Sequence, residues 1–227
     1  MIAVHMDSGE ILWETPNPKA WKMSHSSIMT ATLFGKKMYV YSAVGGVCGV
    51  SAEGEDEGKI LWESTAWNHS VVAPSPVILP DGKIFLTAGY GAGSMMLRVK
   101  KSGNKFENEV LKEYLPKDGL ACEQQTPIVW DGHLLGILPK DADANRNQLV
   151  CVNPDDVTKI VWSSGKTTRF GLGPYMIADD KMFILSDDGT LTMIKPNVKS
   201  YQQLAQKKIF DGQDAWAPLA IADGKML

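Results

Sequence analysis

The sequence contains three similar pentapeptides: Gly9-Glu10-Ile11-Leu12-Trp13, Gly58-Lys59-Ile60-Leu61-Trp62 and Thr158-Lys159-Ile160-Val161-Trp162. The second follows the first after about 50 residues and the third follows the second after about 100, so one copy has decayed in between. A fixed period of this length is the signature of a chain built from repeated supersecondary units. The pentapeptide therefore predicts a repeat protein.

A second repeat runs out of phase with the first and has nearly the same period. Each copy is a short apolar run, a polar turn and another apolar run, as in Pro76 to Leu86. Asp-Gly between apolar runs is a strong hairpin signal, because both central residues of a type I′ turn need a positive φ. The predicted turns are centred on Gly35, Asp81-Gly82, Asp131-Gly132, Asp179-Asp180 and Asp223-Gly224.

Together the two repeats define a unit of four strands, here called A to D. The hairpin supplies A and B, and the tryptophan pentapeptide supplies D. The C strands are predicted at 47–51, 95–99, 148–152 and 191–195. Four antiparallel strands in about 45 residues form a β-propeller blade. A helical solenoid is disfavoured because the best helical segment, 201–208, is short and lies where a D strand is expected.

The sequence thus predicts an all-β chain of four-stranded antiparallel blades with tryptophan-docking repeats, part of a larger propeller. Blades are predicted at 28–70, 71–121, 122–170 and 171–214. They are flanked by a C–D half blade at 1–27 and an A–B half blade at 215–227. The two halves could combine into one composite blade, although the truncated final hairpin argues against that arrangement.

Composition narrows the class of partner. The chain is 44% hydrophobic and 22% charged, with a net charge of −3, so it has no basic field for nucleic acid or anionic lipid. No apolar run is long enough to span a membrane, and no signal peptide is visible. The three single cysteines, Cys48, Cys122 and Cys151, show no metal-ligand spacing and are expected to be buried.

The segment from Ala3 to Trp13 resembles the tryptophan-docking repeat of the pyrroloquinoline-quinone-like (PQQ-like) propellers, and the resemblance extends over the chain. The resemblance implies a seven- or eight-bladed propeller. The family contains quinoprotein dehydrogenases and also non-enzymatic members such as the outer-membrane barrel-assembly lipoprotein. Most members are exported bacterial proteins, so the resemblance implies a periplasmic or cell-surface location.

A tryptophan once per blade has a clear structural use. An indole is the largest apolar side chain, and its N–H can donate to a backbone carbonyl of the neighbouring sheet. We therefore expect Trp13, Trp62 and Trp162 to hold adjacent blades together.

An enzymatic function is the alternative to a binding function. In the dehydrogenases of the family, the cofactor stacks on a Trp and a calcium ion is held by Glu, Asn and Asp; some add a Cys-Cys pair. This chain has no Cys-Cys pair, and no matching set of Glu, Asn and Asp can be placed. We expect no cofactor, with PQQ and calcium only under the dehydrogenase alternative. Asp141 to Asn145 resembles the start of a calcium loop but lacks its glycine and glutamate, so a polar B–C loop is favoured.

Polar and aromatic residues precede every predicted A strand. Propellers bind ligands at the face where these segments meet around the central channel. The predicted ligand-binding residues at this channel mouth are His25, His69, Gln124, Arg169 and Trp216. They offer donors, a cation and a stacking face but no nucleophile–base pair, so no catalytic residue is predicted. The expected function is a non-catalytic scaffold that binds a partner protein or a small polar ligand; a glycan-binding or sensor propeller is a further alternative.

Overall fold

The computed structural model describes residues 1–227 and consists of β-strands joined by turns. The strands form four four-stranded sheets and two two-stranded sheets. The only helical segments are single 3-10 turns at Pro80–Gly82 and Asp143–Asn145. The predicted all-β chain of four-stranded antiparallel sheets is therefore confirmed.

The strands follow one another in chain order within every sheet. The chain begins with a hairpin of β1 (Ile2–Val4) and β2 (Ile11–Glu14). The first complete sheet contains β3 (Met29–Leu33), β4 (Lys36–Ala43), β5 (Gly46–Ser51) and β6 (Ile60–Ser64). The second contains β7 (Val77–Ile78), β8 (Lys83–Ala88), β9 (Gly93–Ser102) and β10 (Lys105–Tyr114).

The later sheets repeat this arrangement. The third contains β11 (Ile128–Trp130), β12 (His133–Ile137), β13 (Leu149–Asn153) and β14 (Asp156–Ser163). The fourth contains β15 (Tyr175–Ala178), β16 (Lys181–Leu185), β17 (Thr190–Ile194) and β18 (Gln203–Lys208). A hairpin of β19 (Ile221–Ala222) and β20 (Lys225–Met226) follows. The blade boundaries themselves, which were placed between these sheets, stay predictions.

The A–B turns have the backbone that the sequence predicts. Both central residues have a positive φ in each of the five hairpins, for example +58° at Asp81 and +71° at Gly82. In the fourth sheet, Asp179 and Asp180 adopt +48° and +56° without a glycine. Asp tolerates this left-handed region better than most residues, because its short side chain can hydrogen-bond locally.

The segment that showed the best helical pattern forms a strand. Gln203–Lys208 is β18, and it pairs antiparallel with β17 from Lys208↔Thr190 to Gln203↔Ile194. All six of its residues are exposed, so the strand is held by its hydrogen bonds to the edge of the sheet and not by burial. A free strand edge outweighs local helix propensity here, since a helix this short is marginal in water.

The contacts divide the chain into two compact units. The first unit comprises Met1–Leu86 with Met95–Glu113, and the second comprises Thr87–Ser94 with Tyr114–Leu227. In the second unit, the third and fourth sheets share an apolar core. Its fully buried members include Leu135, Leu149, Cys151, Phe170, Met182, Ile184 and Ile194. The core of the first unit includes Met38, Val40, Val47, Val50, Phe85 and Leu97.

Candidate functional site

A polar cavity of about 400 Å³ lies within the second unit, and we call it the Asp187 cavity. Its wall combines the segment that precedes β15, the β16–β17 connection and one side chain of β18. The lining residues are Arg169, Phe170, Gly171, Ser186, Asp187, Asp188, Thr190 and Gln206. A volume in this range suits a small ligand or a side chain of a partner.

The carboxylate of Asp187 is held in place by two donors. The backbone N–H of Leu172 donates to Oδ1 at 2.7 Å, and the indole N–H of Trp216 donates to the same oxygen at 3.1 Å. Gly171 has a φ of +66°, and a Cβ at that position would lie 2.0 Å from Oδ2 of Asp187. The glycine therefore lets the carboxylate lie directly against the backbone that approaches β15.

Arg169, one of the predicted ligand-binding residues, is largely engaged by the protein itself. Its Nε donates to the carbonyl of Lys166 at 2.9 Å, and Nη2 donates to the carbonyl of Ala144 at 3.0 Å. Nη1 donates to the carbonyl of Arg146. A guanidinium carries five N–H groups, so two remain beside the cavity. Arg169 thus anchors the β12–β13 connection and keeps part of its donor capacity.

Trp216 lies at the rim of the same region. The Lys140 ammonium is 5.5 Å from the centre of its ring, and Gln125 Nε2 donates to its carbonyl at 3.5 Å. The ring is half-buried. A cation over an indole is attracted by the ring quadrupole, so Lys140 and Trp216 support each other's position.

Glu123 is a buried carboxyl beside these groups. Its side chain lies over Gly89, where a Cβ would come within 2.0 Å of Glu123 Cγ. Burial raises the pKa of Glu123 above its ordinary value, and the nearby carboxylates of Asp141 and Asp187 act in the same direction. The backbone N–H and the charge of Lys140 lower that pKa and partly oppose the effect.

The structure brings some of the predicted channel-mouth residues together. Arg169 lines the cavity and Trp216 donates to Asp187 on its wall, while Gln124 lines a separate small cavity with Gly171. Asp187 could not be identified as a site residue from the sequence, because the run Ser186 to Gly189 is typical of a turn. The sequence signal that could have identified it was a carboxylate in that run together with a glycine shortly before the predicted A strand.

The two predicted histidines lie in the first unit. His25 is exposed, and its backbone N–H donates to the carbonyl of Val72 at 3.0 Å. The His69 ring contacts the buried ring of Trp67 edge-on, with 4.3 Å between the two ring centres. Burial lowers the pKa of His69, against a smaller opposite effect of the Glu113 charge. A shared ligand-binding role for the five residues stays a prediction.

The three repeat tryptophans make different contacts. Trp13 lies against Gly58, where an added Cβ would be only 2.9 Å from the indole ring. The centre of the Trp13 ring is 6.2 Å from the centre of the Tyr39 ring. Trp162 donates its indole N–H to the carbonyl of Asn197 at 3.0 Å. Trp62 instead donates to Met38 Sδ at 3.3 Å, within its own sheet.

Thus Trp13 and Trp162 reach the C–D connection of the following sheet, as a docking residue should. Trp62 has its hydrogen-bond partner on its own sheet. The docking role of the three together stays a prediction.

The reactive groups of the chain are few. All three cysteines are buried, as the sequence predicts. Burial raises the pKa of the Cys122 thiol to about 12 and those of Cys48 and Cys151 to about 11, so none is a thiolate at neutral pH. No group of three or more His, Cys, Asp or Glu side chains is arranged to hold a metal ion. The structure has no helix of the length and apolarity needed to cross a bilayer.

Comparison with known proteins shows similarity in structure alone. No protein-family model matches the sequence, and no curated protein matches it. BamB from Moraxella catarrhalis superposes with a TM-score of 0.55 and 9% identity, covering 98% of this chain and 61% of that one. A functionally unknown protein from Desulfotomaculum acetoxidans gives 0.52 and 14%, covering 100% and 68%.

AztD from Citrobacter koseri gives a TM-score of 0.49 at 12% identity, covering 88% of this chain and 52% of that one. The chain therefore spans between about half and two thirds of the length of these proteins. At such identities the likeness to BamB and to the Desulfotomaculum protein shows the fold alone. That fold is a β-propeller built from four-stranded antiparallel blades.

Proposed function

We propose that the chain is part of a non-catalytic binding propeller, and that the Asp187 cavity takes a small polar ligand or a polar side chain of a partner protein. The position of the Asp187 carboxylate carries this proposal. It lies on the wall of a 400 Å³ cavity and is fixed by Leu172 N–H and the Trp216 indole. A carboxylate that is fixed before binding loses little conformational freedom when it accepts a donor.

The other groups of the cavity favour a donor-rich ligand. Asp187 and Asp188 contribute two carboxylates, while three N–H groups of Arg169 already donate to backbone carbonyls. Asp188 already pairs with Lys208 at 3.3 Å, which leaves Asp187 as the more available acceptor. The three buried thiols have raised pKa values, so none of them is an activated nucleophile at neutral pH.

The finer assignment to the PQQ-like family is part of this proposal. The repeated pentapeptide supports it, and so do the contacts of Trp13 and Trp162 with the following sheets. Membership would place the protein in the periplasm or on the cell surface of a bacterium. Within that family we propose the non-enzymatic type, with a protein partner as the occupant of the cavity and no resident cofactor. The net charge of −3 gives no support to a nucleic-acid partner.

The test is binding to peptide and glycan arrays by the wild-type chain and by matched variants. Asp187→Asn keeps an acceptor for both N–H donors and removes the charge, while Trp216→Phe removes one donor. Asp131→Asn, in an exposed hairpin turn, is the control. We expect a ligand whose affinity falls about tenfold or more in the first two variants, as for loss of a charged hydrogen bond. Equal binding by all four proteins would refute the role of the cavity.

The dehydrogenase alternative is tested separately by adding PQQ and calcium. A ligand that binds only the folded state must raise its stability, so saturable cofactor binding would raise the melting temperature and give a bound-quinone absorption spectrum. We expect neither change.

A further inference from the structure

A second cavity, of about 600 Å³, lies entirely within the first unit, and we call it the Trp21 cavity. Its floor is a row of side chains across the first complete sheet. Tyr41 on β4 is the direct neighbour of Cys48 on β5, and Cys48 is the direct neighbour of Glu63 on β6. Directly opposed residues of antiparallel strands point to the same face, and all three line this cavity.

The wall of the cavity is the segment that links β2 to β3, and it is held rigidly. The Asn17 side chain donates to the carbonyl of Trp21 at 2.8 Å and accepts from its N–H at 3.0 Å. Lys22 forms an isolated bridge with Val44. These bonds fix the backbone on both sides of Trp21.

The indole of Trp21 is fixed as well. It lies against Gly45 and Gly46, where an added Cβ would come within 2.4 Å and 2.6 Å of ring atoms. The absence of a side chain at both positions lets one face of the indole rest on the backbone. Trp21 also lines the cavity, and the Lys19 ammonium lies over its ring, 5.7 Å from the ring centre.

Hydroxyl and carboxyl groups surround this aromatic face. Ser24 N–H donates to the Tyr41 hydroxyl at 2.9 Å, and the hydroxyls of Ser24 and Ser26 both donate to the Ser42 carbonyl. Ser24 Oγ also accepts from the Ser26 N–H at 3.2 Å and lies 3.0 Å from Ser26 Oγ, so the two serine oxygens keep part of their acceptor capacity for a ligand. Glu63 pairs with Lys19 at 2.7 Å through Oε1 alone, so its second oxygen can also accept.

We infer from this arrangement that the Trp21 cavity binds a neutral pyranose sugar. The C–H bonds on one face of a pyranose ring pack against an indole face, which carries partial negative charge. The sugar hydroxyls both donate and accept, and so they match the Tyr41 hydroxyl, the serine oxygens and Glu63.

Other classes of ligand fit the same groups less well. An anion would have to approach Glu63, and of the two lysines that line the cavity, Lys19 and Lys22, the first is already paired with that carboxylate. An apolar molecule would leave the hydroxyl groups of the cavity without partners after removing them from water. Burial keeps the Cys48 thiol protonated, with a pKa of about 11, so it contributes only apolar surface.

This inference goes beyond the proposed function, because the Asp187 cavity belongs to the second unit and shares no residue with the Trp21 cavity. The test uses glucose, galactose, N-acetylglucosamine, maltose and cellobiose at about 1–10 mM, the range of weak binding. Saturation-transfer NMR identifies which sugar protons contact the protein, and calorimetry gives the affinity.

Three variants decide the outcome. Trp21→Ala removes the stacking face, and Glu63→Gln removes the charged acceptor while keeping the shape. Asp131→Asn, a carboxyl-to-amide change in an exposed hairpin turn of the second unit, is the matched control. We expect saturable binding of at least one sugar, weakened about tenfold or more by each of the first two changes and unchanged in the control.

Loss of fold in Trp21→Ala is detected by circular dichroism, and Glu63→Gln then carries the test. The inference is overturned if no sugar saturates the protein, or if folded Glu63→Gln binds as the wild type does. Sugar binding that is kept in Trp21→Ala and Glu63→Gln but lost in Asp187→Asn would assign the sugar to the Asp187 cavity instead, which would overturn this inference and support the proposed function.

Discussion

Replacing Trp162 by alanine should destabilise the second unit by about 3–5 kcal/mol, the range for deleting a large aromatic side chain from a core. Trp162 is 8% exposed and belongs to the core that includes Leu135, Phe170 and Ile194. The change also removes the donor to the Asn197 carbonyl at 3.0 Å. Since domains are stable by only about 5–15 kcal/mol in total, this is a large fraction.

Two further variants separate the contributions. Trp162→Phe keeps most of the apolar volume and loses the N–H, so about 1 kcal/mol of the total should come from the hydrogen bond. Val161→Ala is the control, because Val161 is the adjacent residue on β14 and is 47% exposed. Its cost should stay within about 0.5 kcal/mol.

The assay is equilibrium urea unfolding combined with amide hydrogen exchange. If Trp162 joins two sheets, its removal must lower the protection of β17 as well as that of its own strand, because its partners Asn197 and Tyr201 follow β17 in the next sheet. Two results would contradict this reasoning. One is a loss of stability below about 1 kcal/mol. The other is unchanged protection of β17 with a loss confined to β14.

Three smaller perturbations follow from single contacts. Gly171→Ala places a Cβ 2.0 Å from the Asp187 carboxylate, whereas Gly165→Ala has a similar positive φ and open space, so the first should cost at least about 1 kcal/mol more in urea unfolding. Asp180→Gly relieves a non-glycine residue at a φ of +56° and should raise stability by about 0.5 kcal/mol in the same assay. Burial lowers the pKa of His69 below 6.5, so the unfolded chain binds that proton more readily. Stability should therefore fall as pH drops through 6.5 to the folded pKa and then level off; pH-dependent unfolding of His69→Gln should lack this contribution.

The features that depend on neighbouring residues could be predicted from the sequence. Asp81-Gly82 and Asp131-Gly132 predict type I′ turns because φ is a local property, and both turns have positive φ at both positions. The pentapeptide likewise predicts a strand with a tryptophan near its end, as β2 and β14 show. Periodicity decides these elements without any knowledge of distant partners.

The candidate site depends on partners that are distant in the sequence, and the sequence could not supply them. Arg169 was predicted to bind a ligand, yet two of its donors reach the carbonyls of Arg146 and Ala144, 23 and 25 residues earlier in the chain. Asp187 gained its importance only from Leu172 and Trp216, which lie on either side of it. Local turn chemistry explains the run Ser186 to Gly189 equally well, so nothing distinguished this carboxylate from an ordinary turn residue.

The same limit explains why similar pentapeptides place their tryptophans differently. The groups that each tryptophan could reach in the following sheet belong to its C–D connection, and these connections differ. Trp13 and Trp162 meet long connections, which provide Gly58 in one case and the Asn197 carbonyl in the other. The sheet after Trp62 joins β9 to β10 through Gly103 and the single residue after it, and so short a turn has few groups to offer. Trp62 accordingly donates to Met38 on its own sheet. The motif therefore determines the position of the tryptophan on its strand. The length of a loop about 40 residues later determines what the indole contacts.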